Sequence, residues 1–137
     1  MKELAVTVLI VDDFEPLRAV ISSLLGKNPK LQIVAQASDG VEAVQKARQL
    51  QPSLILIDLY LPKLNGLEAA QQIRRVAPQS NIIFVTQETS TDLMEAAVQL
   101  GARGYVVKTK LQSELLKAID LVLEGKQFIG TGLTGDR

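Results

Sequence analysis

The chain has 137 residues, enough for one domain with its own hydrophobic core. Fifteen Lys and Arg balance fifteen Asp and Glu, so the bulk positive charge of a nucleic-acid-binding surface is missing. With no Cys and no His, disulfide scaffolds, thiol or imidazole catalysis and Cys- or His-ligated metals are excluded. Any chemistry must use carboxylates, hydroxyls, Lys or Arg, and any metal must be a hard cation on oxygen ligands, Mg2+ or Ca2+.

In chain order, Ala5–Val11 is the first apolar run rich in β-branched residues, and it leads directly into Asp12-Asp13. It is short and has no small-residue cleavage site, so it reads as a strand and not as a signal peptide. A helical period follows, with Phe14, Leu17, Ile21, Leu24 and Leu25 on one face and Pro16 in the opening turn. Leu31–Ala37 is the second strand. After the Asp39-Gly40 turn signal, a second helix groups Val41, Val44, Ala47 and Leu50. Leu54–Ile57 is the third strand, followed by a helix using Leu67, Ala70, Ile73 and Ala77. Ile82–Val85 is the fourth, followed by a helix using Leu93, Ala96, Ala97 and Leu100, with Gly101 as its C-terminal stop. Gly104–Val107 is the fifth strand. The last helix, from about Leu111 to Glu124, uses Leu115, Ala118, Ile119 and Val122.

Strands alternating with helices predict an α/β protein of (βα)5 type, a three-layer sandwich with a parallel five-stranded sheet covered on both faces. Five strands cannot close a (β/α)8 barrel, so the sheet is open. Open parallel sheets place their ligands at the carboxyl ends of the strands. There the sequence puts Asp12 and Asp13 after the first strand, Asp58 after the third, Thr86 after the fourth and Lys108 after the fifth. A single strand-end Asp is ordinarily a turn former or helix cap. Five such groups on one rim form a site. Carboxylates without His suit Mg2+. A carboxylate beside the metal can attack phosphorus, and the charge developing on the phosphoryl oxygens calls for a fixed cation and a hydroxyl donor. Asp58, from the central strand, reads as nucleophile, Asp12 and Asp13 as metal ligands, Lys108 as cation and Thr86 as donor.

These residues resemble the receiver domain of bacterial two-component response regulators. The motifs are Val11-Asp12-Asp13, Ile57-Asp58-Leu59-Tyr60-Leu61-Pro62-Lys63-Leu64-Asn65-Gly66, Val85-Thr86 and Gly104-Tyr105-Val106-Val107-Lys108, and the resemblance spans Leu4 to about Ile129. It implies a flavodoxin-like fold with strand order 2-1-3-4-5. It implies that Asp58 is the phosphoacceptor, loaded from a phosphohistidine on a sensor histidine kinase in the cytoplasm. It implies Mg2+ on Asp13, Asp12, Asp58 and the backbone carbonyl of Tyr60. Lys108 would pair with the phosphoryl group, Thr86 would turn toward it, and Tyr105 would move into the space that Thr86 leaves. Such a protein is a signalling phosphoacceptor and not an enzyme acting on other substrates.

Lys108-Thr109-Lys110-Leu111 together with Gly125-Lys126-Gln127-Phe128-Ile129 resembles the subfamily with a C-terminal helix-turn-helix output domain, hence transcription regulation. The sequence leaves open a receiver cut from a longer regulator or a stand-alone one. Residues 1–125 read as the receiver domain and 126–137 as a tail or the start of a linker. Many receivers carry Pro after the strand-end Lys; here it is Thr109. The apolar fifth helix, with Leu116, Leu121 and Leu123 beyond its core face, and the fourth helix predict a surface for a homodimer or an output domain. No membrane or nucleic-acid contact is expected of the domain itself. Tyr60 and Gln87 flank the site and would tune water access.

Gly130-Thr131-Gly132-Leu133-Thr134-Gly135 spells GxGxxG, but a dinucleotide site needs a strand before the motif and a helix after it, and only two residues follow here, so it reads as a flexible tail. Two other readings of the chain stand beside the leading one. A pseudo-receiver would lack phosphotransfer, and the intact five-residue set argues against it. A phosphatase or flavodoxin on a related fold would need a DxD motif or a hydroxyl-rich loop after the first strand, and Asp12-Asp13-Phe14 supplies neither.

Overall fold

The computed structural model describes residues 5–135; Leu4, the first residue of the motif match, lies outside them, as do Asp136 and Arg137 of the tail. The elements alternate as expected: β1 (Val6–Val11), α1 (Glu15–Leu25), β2 (Leu31–Ala37), α2 (Gly40–Leu50), β3 (Leu54–Ile57), α3 (Gly66–Val76), β4 (Asn81–Thr86), α4 (Thr91–Gln99), β5 (Gly104–Val107) and α5 (Leu111–Leu123). A short 3₁₀ turn, Lys108–Lys110, joins β5 to α5. Every strand pair is parallel, in the order β2-β1-β3-β4-β5. This is the flavodoxin-like arrangement.

The near-continuous apolar runs follow from burial on both faces. Along β1, Val8 and Ile10 face the layer formed by α1 and α5, while Leu9 and Val11 face the layer formed by α2, α3 and α4. β3 divides in the same way, with Leu54 and Leu56 on the first side and Ile55 and Ile57 on the second. Caps fall where the chain supplies short acceptors. The side chains of Asp39, Asn65 and Ser90 accept from the N–H groups of Glu42, Glu68 and Leu93. Gly101, at φ +107°, ends α4 in the conformation that favours glycine.

Several features depart from the sequence reading. The sheet has a sixth strand, β6 (Phe128–Ile129), parallel to β5. Residues 130–134, expected as part of a flexible tail, follow Phe128 and Ile129 back onto the domain. β2 is an edge strand and only Ala37 in it is fully buried. Its register against β1 slips between Val8 and Leu9, because Val34 is an extra residue on the β2 side. Phe14 does not join the face of α1. It precedes the helix in an extended conformation and is 61% exposed. Val41 and Leu50 are likewise exposed, because the buried stripe of α2 is made of Gly40, Ala43, Val44 and Ala47. Gly40 sits so close to the loop after β3 that a Cβ there would lie 1.9 Å from the Leu64 carbonyl oxygen. The close approach selects small residues and turns Val41 and Leu50 outward.

Candidate phosphoacceptor site

The carboxyl ends of β1, β3 and β5 converge on one rim. Asp12 continues β1, with its N–H donating to the Ala37 carbonyl at 3.1 Å. Its Oδ1 accepts from the Phe14 N–H at 2.9 Å, a local turn that fixes the side chain. Arg18 Nη1 donates to the Asp12 carbonyl oxygen at 2.6 Å. Asp58 continues β3, and its N–H donates to the Val11 carbonyl at 3.1 Å. The loop after it is drawn tight by a bond from the Gly66 N–H to the Leu59 carbonyl at 2.7 Å. A Cβ on Gly66 would lie 2.1 Å from the Asp58 carbonyl oxygen, so only glycine lets α3 start this close to the acid.

Asp12 and Asp58 are buried, with 1% and 4% exposure, while Asp13 is exposed. One carboxylate oxygen from each lies within 4.8 Å of the others. Three hard oxygens at that spacing, open to solvent on the Asp13 side, fit a Mg2+ that keeps some of its waters. Lys108, in the turn after β5, bridges the two buried acids, with Nζ 2.9 Å from Asp12 Oδ2 and 3.0 Å from Asp58 Oδ2. Burial raises the Asp12 carboxyl above the ordinary aspartate range, against the opposing bonds from Lys108 and the Phe14 N–H. Burial works against the charge on Lys108, yet its bonds to Asp12 and Asp58 outweigh this and lift it above the ordinary lysine value. The lysine therefore stays protonated at neutral pH, as a fixed cation against the central acid.

Thr86 ends β4, fully buried, and its hydroxyl accepts from the Glu88 N–H at 3.2 Å. Tyr105 lies inward and fully buried, against Phe84 at 6.4 Å between ring centres, and its hydroxyl donates to the Glu88 carbonyl at 3.0 Å. Burial pushes its phenol well above the usual tyrosine range. Tyr60 is half exposed, its N–H reaches Asp58 Oδ1 at 3.4 Å, and its hydroxyl donates to the Glu88 carboxylate. That bond raises the Tyr60 phenol and lowers Glu88. The Lys108–Thr109 peptide bond is trans, as are all the described bonds.

The structure thus brings Asp12, Asp13, Asp58 and Lys108 together and sets Thr86, Tyr60 and Tyr105 around them. Sequence reasoning missed Glu88, which joins both tyrosines to the loop after Thr86. It singled out Gln87 instead, which is exposed. No periodicity pointed to it, because β4 ends at Thr86 and the chain turns there, with the Glu88 N–H bonded back to the Thr86 hydroxyl.

An open parallel sheet with an acidic pocket and a bridging lysine at its carboxyl edge defines a class, and the comparisons agree with it. The family model for the response regulator receiver domain matches residues 8–120. The response regulator GacA of Pseudomonas viridiflava is 36% identical over 124 residues, covering 90% of this chain and 58% of its own length. The transcriptional regulatory protein LiaR of Bacillus subtilis is 32% identical over 130 residues, covering 95% of this chain and 62% of its own. Among solved structures, a LuxR-family two-component response regulator from Aurantimonas superposes with a TM-score of 0.86 at 31% identity, covering 90% of this chain and 89% of that one. The response regulator domain of Thermotoga maritima CheB gives 0.82 at 30% identity, covering 88% and 97%. The chain belongs to the response regulator receiver family. It spans 58% of the length of its GacA relative. No helix among the described residues is long and apolar enough to cross a membrane.

Proposed function

We propose that this chain is a phosphorylation switch in which Asp58 accepts a phosphoryl group from a sensor histidine kinase. The observation that carries it is Lys108 Nζ held 3.0 Å from the oxygen of a buried, strand-end aspartate that shares an acidic cluster with Asp12 and Asp13. An Asp58 oxygen forms a bond to phosphorus, the bond from phosphorus to the histidine nitrogen breaks, and the nitrogen keeps the electron pair. Asp12, Asp13, Asp58 and the Tyr60 carbonyl would hold Mg2+, which when bound offsets the negative charge gathered at phosphorus. Lys108 pairs with the phosphoryl oxygens. The Thr86 hydroxyl, here an acceptor from the Glu88 N–H, has its proton to give.

Asp58 loading would draw Thr86 toward the phosphoryl group and favour Tyr105 inward, a two-state element biased by a local change of charge. The chain turns over no external substrate; transfer to and loss from its own Asp58 are its chemistry. Residues 1–125 would be the receiver and 126–137 a tail or the start of a linker whose first part, 128–134, lies on the domain. In a longer cytoplasmic protein this would lead to a helix-turn-helix output domain and transcription regulation, with α4 and α5 as the surface for that domain or for a second copy. LiaR is named a transcriptional regulatory protein.

The test is intact mass after incubation with acetyl phosphate. Wild type gains one phosphate with Mg2+ and none without it, and Asp58→Asn gains none. Phosphate uptake by Asp58→Asn would move the site elsewhere, and no uptake by a folded, Mg2+-binding wild type would favour an interaction module.

A further inference from the structure

No helix follows the GxGxxG segment among the described residues, yet the segment is built into the domain. Phe128 packs on the α5 side of the sheet, beneath Lys117 Nζ at 6.0 Å from its ring centre, and Leu133 packs on the opposite, α4 side. Between them the chain crosses the β5 edge. The Gly130 N–H donates to the Tyr105 carbonyl at 2.8 Å. Thr131 donates its N–H and its hydroxyl to the carboxylate of Glu114, a buried acid of α5 that the phosphoacceptor chemistry does not use. A Cβ on Gly130 would lie 2.4 Å from Glu114 Oε1 and 3.1 Å from the Tyr105 carbonyl, and Gly132 turns the chain at φ +88°. Thr134 then joins the loop before α4. Its N–H donates to the Thr89 carbonyl at 2.8 Å, and its own carbonyl accepts from the Thr91 N–H at 3.3 Å.

We propose that residues 128–134 form a strap that docks around the β5 edge while Tyr105 is turned inward, so that strap docking and loading of Asp58 favour one another. The inference rests on the phosphoacceptor reading above. Two connections carry it. The strap holds the backbone of Tyr105 through Gly130, and Tyr105 holds Glu88 through its hydroxyl. The strap also holds Thr89 and Thr91 through Thr134, immediately beyond the Thr86–Glu88 turn. A strand serving only to cover the sheet edge would need nothing beyond Ile129. Residues 131–134 instead reach the segment that must move when Thr86 moves. Coupling between two sites is reciprocal, so whatever the strap does to Asp58 loading, loading does to the strap.

The experiment uses the full chain with Mg2+ and beryllofluoride, a reversible stand-in for the phosphoryl group. Hydrogen exchange of the amides of residues 130–134 is expected to slow about fivefold in the beryllofluoride complex. Gly130→Val, which collides with Glu114 and the Tyr105 carbonyl, is expected to undock the strap and to raise the beryllofluoride concentration for half-saturation by a similar factor. Thr131→Val, which replaces the hydroxyl with a methyl and keeps the N–H bond to Glu114, gives a smaller shift in the same direction and serves if Gly130→Val does not fold. Unchanged or faster strap exchange in a saturated complex would overturn the coupling, as would unaltered affinity in a variant whose strap is shown to be undocked. A wild type that binds neither beryllofluoride nor phosphate would remove the phosphoacceptor reading itself, a failure distinct from these two.

Discussion

The two helices that flank β5 are held in opposite ways. α5 buries Leu111, Glu114, Leu115, Ala118, Ile119 and Val122, a full stripe against the sheet. α4 fully buries only Ala97. Both follow a strand-end residue of the site, Lys108 before α5 and Thr86 before α4. The difference teaches where change is cheap. Displacing α5 would expose a large apolar stripe, whereas α4 can shift at small cost in burial, and mobile elements are drawn from such weakly held regions. The lysine is thereby fixed and the threonine side is free to answer it.

That contrast can be broken by mutation. Ile119→Ala, in the α5 stripe, is expected to cost about 3 kcal/mol in urea denaturation. Lys108→Ala leaves two buried acids facing each other, at a cost of roughly 2 kcal/mol in metal-free protein, with part of it recovered on adding Mg2+. It should still bind Mg2+ and take up phosphate poorly, and a Mg2+-insensitive loss of stability would show that the lysine acts by packing and not by charge. Leu93→Ala, on α4, is expected to cost about 1 kcal/mol or less, since the side chain is only half-buried. If it costs as much as Ile119→Ala, α4 is as firmly seated as α5 and the comparison fails.

The smallest effect sharpens the α4 side alone. The chain has two tyrosines, and both are raised, Tyr60 chiefly by its bond to Glu88 and Tyr105 chiefly by burial. A folded-state value above the unfolded one gives stability that is fully present below about pH 10 and is lost as the pH climbs through the folded value. Ultraviolet titration of the native protein should therefore show tyrosinate only above the ordinary range. Glu88→Gln should bring the Tyr60 step down furthest and the Tyr105 step down less, because burial is the larger cause there. Two steps that move equally would mean that Glu88 does not distinguish them.

Much of this was legible in the sequence. The strand runs show clearly because both faces of the sheet are covered, and β2, β3 and β5 fall at their expected residues. The rim residues could be placed because a parallel sheet puts every strand's carboxyl end on the same edge. What stayed hidden depended on contacts distant in sequence. Phe14, Val41 and Leu50 have the right spacing for buried faces, but helix boundaries and the close approach at Gly40 decide otherwise. Glu114 reads as an ordinary surface acid until Thr131, seventeen residues later, arrives to meet it. β6 is two residues long, too short for any periodicity, and only its partner β5 makes it a strand.

The slipped register at β2 has a consequence for self-association. One margin of the sheet ends in the two residues of β6 and offers a second molecule almost nothing to pair with. The other margin is the seven-residue β2, the only long exposed edge among the described residues and the natural place for unwanted strand-to-strand growth. The extra residue at Val34 twists that margin out of a flat template. Lys46 Nζ already occupies the Gln36 carbonyl at 2.5 Å, placing a charge where an incoming strand would have to lie. Deleting Val34 would straighten the margin and favour edge-to-edge pairing between copies of the domain.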